Sequence, residues 1–130
     1  MTKVVLSIST LPYRLAVCRL APASDVPEWA QAGVFCSITR TPDELSIICA
    51  EDAVPAGVRC ERDWRAFKLD GPFDFSMVGV LASVLEPLAA HAVAVLTVGT
   101  YDTDYVLVKA GYYERAVVVL TTAGHRVRRV

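Results

Sequence analysis

The chain has 130 residues, 54% of them hydrophobic, and thirteen basic against fourteen acidic side chains give a net charge of -1. That balance leaves no electrostatic footprint for nucleic acid or an anionic membrane, and no window approaches the roughly eighteen uninterrupted apolar residues of a spanning helix. The start, MTKVVLSIST, has too short an apolar stretch for a secretory signal, so a reduced cytoplasmic setting is expected. Small units bury a smaller share of their surface than large ones, so a chain this apolar implies a covering partner subunit, by default a homodimer.

In chain order, Val4 to Ile8 and Leu15 to Leu20 are short β-type runs divided by the turn signal Leu11-Pro12-Tyr13. A brief helical piece around Pro27 to Ala32 leads to Val34 to Thr39 and Leu45 to Ala50, two strands joined as a hairpin around Pro42-Asp43-Glu44. The stretch Ala53 to Asp63, with Pro55 and Gly57, reads as the junction between two halves. Trp64 to Leu69 alternates as a strand that Gly71-Pro72 breaks. Ser76 is placed to cap a helix bearing Val80, Leu81, Val84, Leu85 and Leu88 on one face, with Pro87 weakening its end. Ala94 to Gly99 and Tyr105 to Lys109 form a second hairpin around residues 101–104, followed by a helix from Tyr112 to Ala123. Gly124 is its cap, and Arg126 to Val130 is a last strand, its three arginines on the solvent face.

The second half thus runs β, α, β, β, α, β, the ferredoxin-like plan. The first half overlays it at an offset of 59, matching Thr41 with Thr100, Asp43 with Asp102, and the run Ile47 to Cys49 with Val106 to Val108. Only seven residues separate Pro22 from Trp29, where sixteen separate Pro72 from Leu88, so the first copy has lost most of its first helix. The expected fold class is α+β: two tandem βαββαβ units with antiparallel sheets, 1–60 degenerate with a shortened helix and 61–130 complete.

The four cysteines, Cys18, Cys36, Cys49 and Cys60, include no CxxC pair, and two histidines are too few to complete a zinc set, so no metal is expected. The histidines, His91 late on a helix and His125 beside the last strand, assemble no catalytic set with a nucleophile. Lys68 and Lys109 lie on alternating strands, where snorkelling explains them without an active site. No GxGxxG or GxxxxGK[ST] occurs, so neither motif binds a nucleotide and no cofactor is expected.

The dense stretch is Asp70 to Ser83, which joins a strand to a helix and presents backbone N–H groups to a carboxylate. Thr100-Tyr-Asp-Thr-Asp-Tyr faces it, with acids two residues apart that suit an ammonium group. An end for an anion and an end for a cation fit a zwitterion. The same residues are also ordinary turn and cap residues, which leaves a scaffold without a ligand as the alternative.

The run Phe73-Asp-Phe-Ser-Met-Val-Gly-Val-Leu-Ala-Ser-Val-Leu-Glu-Pro-Leu-Ala, followed by Thr100-Tyr-Asp-Thr-Asp-Tyr-Val-Leu-Val, resembles the ACT domains of the CASTOR-like group. That group includes the animal arginine sensors and small bacterial proteins. Phe35 to Ile48, with its Ser-Ile-Thr-Arg-Thr centre, resembles the group's N-terminal unit. The resemblance implies tandem ACT units without enzymatic activity, holding a free amino acid where two units meet. It places the ligand residues at Asp74, Phe75, Ser76, Met77, Val78, Gly79, Thr100, Tyr101 and Asp104. In that assignment Gly79 gives close approach, Ser76 and neighbouring amides hold the carboxylate, and Asp104 holds the cation. The chain departs from the pattern at Met77, where the sensors supply a carboxylate, which points away from arginine. The sensors have roughly twice this length, so a homodimer would rebuild their four units. A regulated protein partner is implied without being identified.

Overall fold

The computed structural model describes residues 3–130, which divide into two compact units: Tyr13–Trp64, and a second made of residues 3–12 with Arg65–Val130. Strand β5 (Cys60–Leu69) passes from one to the other. The contacts therefore draw the division differently from a cut between residues 60 and 61. Residues 60–63, expected in the junction, are strand, and β1 (Ser7–Thr10) packs with the C-terminal residues.

The unit spanning 13–64 contains β2 (Leu15–Leu20), β3 (Cys36–Arg40), β4 (Leu45–Ala50) and the start of β5, in the spatial order β3-β4-β2-β5. Its core is Ala16, Cys18, Ala30, Leu45, Ile47, Cys49 and Val54. The shortened helix is a single 3-10 turn, Glu28–Gln31, and where a second helix would follow β4 there is another, Glu51–Ala53. The degeneration thus reaches both helices. Pro55 and Gly57 stand in the six-residue interval between that turn and the strand beginning at Cys60, too little chain for a stable helix plus its connections.

The other unit adds α1 (Ala82–Ala90), β6 (Leu96–Gly99), β7 (Asp104–Lys109), α2 (Tyr113–Thr122) and β8 (Arg126–Arg128). β6 pairs β7 and β7 pairs β5, whose other edge is β1; β8 then lies parallel to β1, with Ile8 opposite both Leu69 and Val127. In a plain βαββαβ unit the last strand pairs the first, whereas here β1 is inserted between them. Both helices cover this sheet through Val84, Leu88, Ala116, Val119 and Leu120, packed on Ile8, Phe67, Leu69, Val106 and Val108. Phe67 stacks on Tyr113 with ring centres 5.5 Å apart.

The hairpin, unlike the helices, repeats in both copies with the same register and the same bounds of its second strand. Adding 59 to Leu45–Ala50 gives Asp104–Lys109, and adding it to the 3-10 turn Glu51–Ala53 gives the 3-10 turn Ala110–Tyr112. The hairpin registers coincide as well, Arg40 opposite Leu45 and Gly99 opposite Asp104. The turn hydrogen bonds repeat too. Thr41 N–H reaches the Glu44 carbonyl at 2.9 Å and Thr100 N–H the Thr103 carbonyl at 2.8 Å, each threonine hydroxyl accepting the N–H three residues on.

Candidate functional site

The segment after β5 carries the first wall of the site. Gly71 precedes a cis Pro72, and a β-carbon on Gly71 would stand 2.9 Å from the Asp102 carbonyl, so only glycine admits the hairpin turn this closely. Two bonds fix that approach: Phe73 N–H donates to the Asp102 carbonyl at 2.8 Å, and the buried Thr103 hydroxyl donates to the Leu69 carbonyl. The loop 73–81 and the turn 99–104 are thereby held facing one another within a single unit.

Between them lies a cavity of about 430 Å³. Seven of the nine residues expected in the site line it: Asp74, Phe75, Met77, Gly79, Thr100, Tyr101 and Asp104. Ser76 and Val78 do not, Val78 being 91% exposed. Phe73, Val80, Leu81, Ala82, Gly99, Asp102 and Thr103 join the wall without having been expected there. Asp102 and Thr103 lay inside the quoted hexapeptide, and Val80 to Ala82 inside the helical run, so their neighbourhood in sequence was the available signal.

Ser76 does not cap the helix. Its N–H and hydroxyl both donate to Asp74 Oδ1, at 2.9 and 3.0 Å, closing a local turn. These bonds, the backbone one first, hold the Asp74 carboxyl below its usual range. With that serine engaged locally, the helical path begins later. Gly79 has φ +85°, a left-handed conformation in which a β-carbon is strained, and its carbonyl accepts the first helical bond, from Ser83 N–H at 3.0 Å. Apart from its chain neighbours, no residue comes within 4 Å of where a Gly79 β-carbon would stand, so within the chain it is the backbone conformation that calls for glycine. The turn leading into α1, Val80 and Leu81, and its first residue, Ala82, belong to the cavity wall, and their amides precede the first helical donor, Ser83.

On the opposite wall Asp104 is half-buried, and its Oδ1 lies 3.3 Å from the β-carbon position of Gly99, its cross-strand partner. Phe75 and Tyr101 meet edge to face at 5.1 Å although they are 75% and 81% exposed. Neither histidine takes part. His91 closes α1, with Nδ1 2.9 Å from the Pro87 carbonyl, and His125 is buried among backbone groups. Among the described residues no group of three or more His, Cys, Asp or Glu side chains forms a metal site, and no helix is long and apolar enough to cross a membrane.

A family model for the ACT domain matches residues 59–122, and a second model, describing an N-terminal domain, matches residues 14–57. The fold is similar to that of protein Atu0741 from Agrobacterium tumefaciens, with 36% identity, a TM-score of 0.92, and coverage of 98% of this chain and 95% of that one. Vibrio cholerae protein VC0802, described as of unknown function and a possible transport protein, is 16% identical with a TM-score of 0.74, over 91% of this chain and 89% of that chain. The regulatory subunit of aspartate kinase from Thermus thermophilus shares the fold at 14% identity and a TM-score of 0.63, over 93% and 99% of the two chains. No curated protein matches the chain.

Proposed function

The chain belongs to the same family as the Agrobacterium protein and carries an ACT domain, and from that premise we propose that it is a non-catalytic regulatory protein that senses a free amino acid. The observation that carries this reading is that one cavity is lined on one side by Val80 to Ala82, the residues that open the helix, and on the other by the half-buried Asp104. The amides suit the ligand's carboxylate and Asp104 its ammonium group. At about 430 Å³ the cavity lies within the roughly 300–1,000 Å³ range of small-molecule sites. Its wall has no histidine, cysteine or lysine, which favours holding a ligand over transforming it. The likeness in fold to the regulatory subunit of aspartate kinase is in keeping with a regulatory role.

The finer parts of the proposal are kinship with the CASTOR-like amino-acid sensors, a cytoplasmic setting and a homodimer whose ACT units meet over the site. Phe75, Met77, Val78 and Tyr101 favour the dimer, since four large apolar side chains exposed on one loop and one facing turn are costly to leave in water. Relative to the sequence assignment, the carboxylate passes from Ser76 to the amides of residues 80–82. The test is a thermal-shift screen of the twenty amino acids against the purified chain, followed by calorimetry on any hit. A saturable hit lost in Asp104→Ala supports the reading. Twenty flat curves overturn it and leave the ligand-free dimeric scaffold.

A further inference from the structure

All four cysteines sit in one sheet, one on each strand of the unit spanning 13–64: Cys36 on β3, Cys49 on β4, Cys18 on β2 and Cys60 on β5. The spatial order β3-β4-β2-β5 turns them into a row. Cys36 lies directly opposite Cys49, and Cys18 directly opposite Cys60. Cys49 faces Ala16, one place along the same side of β2 from Cys18. Directly opposed residues of antiparallel strands point to one face, and Cys18 and Cys49 lie in one core cluster against which Cys60 packs. All four are free thiols.

The ladder hydrogen bonds fix what kind of pairs these are. Thr41 N–H donates to Glu44 O at 2.9 Å, so Thr41 and Glu44 are a hydrogen-bonded pair. Pair types alternate along an antiparallel ladder, and Cys36 with Cys49 stands an odd number of steps away, at a non-hydrogen-bonded position. Arg19 N–H likewise donates to Arg59 O at 3.0 Å, which makes the adjacent pair, Cys18 with Cys60, non-hydrogen-bonded too. Such positions bring Cα atoms to about 4.5 Å, inside the roughly 4.4–6.8 Å span of a disulfide. Each couple joins a reachable sulfur to a buried one: Cys36 is exposed and Cys60 half-buried, while Cys49 and Cys18 are buried.

We propose that this row is a thiol–disulfide exchange site that accepts two cross-strand disulfides, Cys36–Cys49 and Cys18–Cys60, from a low-molecular-weight disulfide of the glutathione type. The outer sulfur, as thiolate, attacks the small disulfide; its S–S bond breaks, a mixed disulfide forms and one small thiolate leaves. The inner sulfur then attacks the protein sulfur of that mixed disulfide, forming the cross-strand bond and expelling the second small thiolate, which takes up the inner thiol's proton. Each couple loses two hydrogens and two electrons, and the small disulfide is reduced to two thiols. Burial, reinforced by the neighbouring Cys49 and Cys60 sulfurs, pushes the Cys18 thiol up to about 12, and burial raises that of Cys49. The resolving step therefore limits the rate and quickens as pH rises.

The experiment treats the native full chain with excess oxidised glutathione at about pH 8, near the ordinary thiol range, then caps free thiols and maps peptides without reduction. The expected result is the loss of four hydrogens, linked peptides 36–49 and 18–60, a higher melting temperature, and full reversal by dithiothreitol. Cys36→Ser should lose only the first link and Cys60→Ser only the second. Both replace outer residues, and melting of the reduced variants checks that the fold persists. Glutathione adducts that never resolve, links in other pairings, disulfides between copies, or no modification at all would each overturn the proposal.

Discussion

His125 Nδ1 accepts the N–H of Leu6 at 3.0 Å while its Nε2 donates to the Ser83 carbonyl at 2.9 Å, so one neutral ring joins the approach to β1 to the first turns of α1. An amide N–H only donates and a carbonyl only accepts, which fixes the tautomer with its proton on Nε2. The residue is 4% exposed, so truncation strands a buried donor and a buried acceptor. His125→Ala is expected to cost about 2–4 kcal/mol, at roughly 1–3 kcal/mol per orphaned group with partial access of water. A urea midpoint equal to that of the parent chain would refute this account.

Leu45 and Asp104 occupy the same place in the two copies of the hairpin, yet one is wholly buried and the other lines the cavity. Leu45→Ala should lose about 2–5 kcal/mol of stability and keep any ligand-induced melting shift. Asp104→Ala should do the opposite. A ligand at one hundred times its Kd adds about 2.7 kcal/mol to the parent chain, and that increment should vanish in this variant while its unliganded melting temperature stays close to the parent's. An Asp104→Ala protein with the full ligand increment would remove the carboxylate from the site.

Gly71→Ala places a methyl group 2.9 Å from the Asp102 carbonyl, in backbone that has little room to give. The turn 99–104 should shift away from residues 71–73, at a cost of about 1–3 kcal/mol typical of overpacking. Chemical denaturation reads the cost, and amide chemical shifts confined to residues 70–74 and 99–104 read the displacement. Shifts spread evenly over the chain would contradict the stated contact.

The Asp74 carboxyl, lowered by Ser76 N–H and then by the Ser76 hydroxyl, binds its proton less readily in the folded loop than in the unfolded chain. A depressed folded value means that the turn is favoured above the unfolded value of about 3.9 and loses that support as pH falls through the folded one. Carbon-detected NMR titration should place the Asp74 midpoint below that of an unstructured aspartate, and Ser76→Ala should raise it. An unchanged midpoint in the variant would show that the turn does not act on the carboxyl.

Size exclusion with light scattering should give a dimer at micromolar concentration. Replacing Phe75 and Tyr101 together with serine should shift it towards the monomer, because the two exposed rings form one apolar edge beside the cavity. A parent chain of monomeric mass would leave those rings without the proposed cover.

Local order and the repeat were legible in the sequence because they rest on neighbouring residues. Thr41 and Thr100 each make the same turn bonds at the same offset, and the short apolar runs Ile47 to Cys49 and Val106 to Val108 specify a strand whichever sheet receives it. The wall residues Asp74, Thr100 and Asp104 were named through the family resemblance, and the local pattern placed them on a loop and a hairpin turn. Tertiary structure alone decided the rest. A strand's own pattern says which face is buried and never which strand it pairs with, so the insertion of β1 between β5 and β8 depends on partners about sixty and one hundred and twenty residues away. Ser76 carries the right chemistry for a helix cap, but Asp74, two residues before it, competes for the same N–H and hydroxyl, and only the folded loop settles which bond forms.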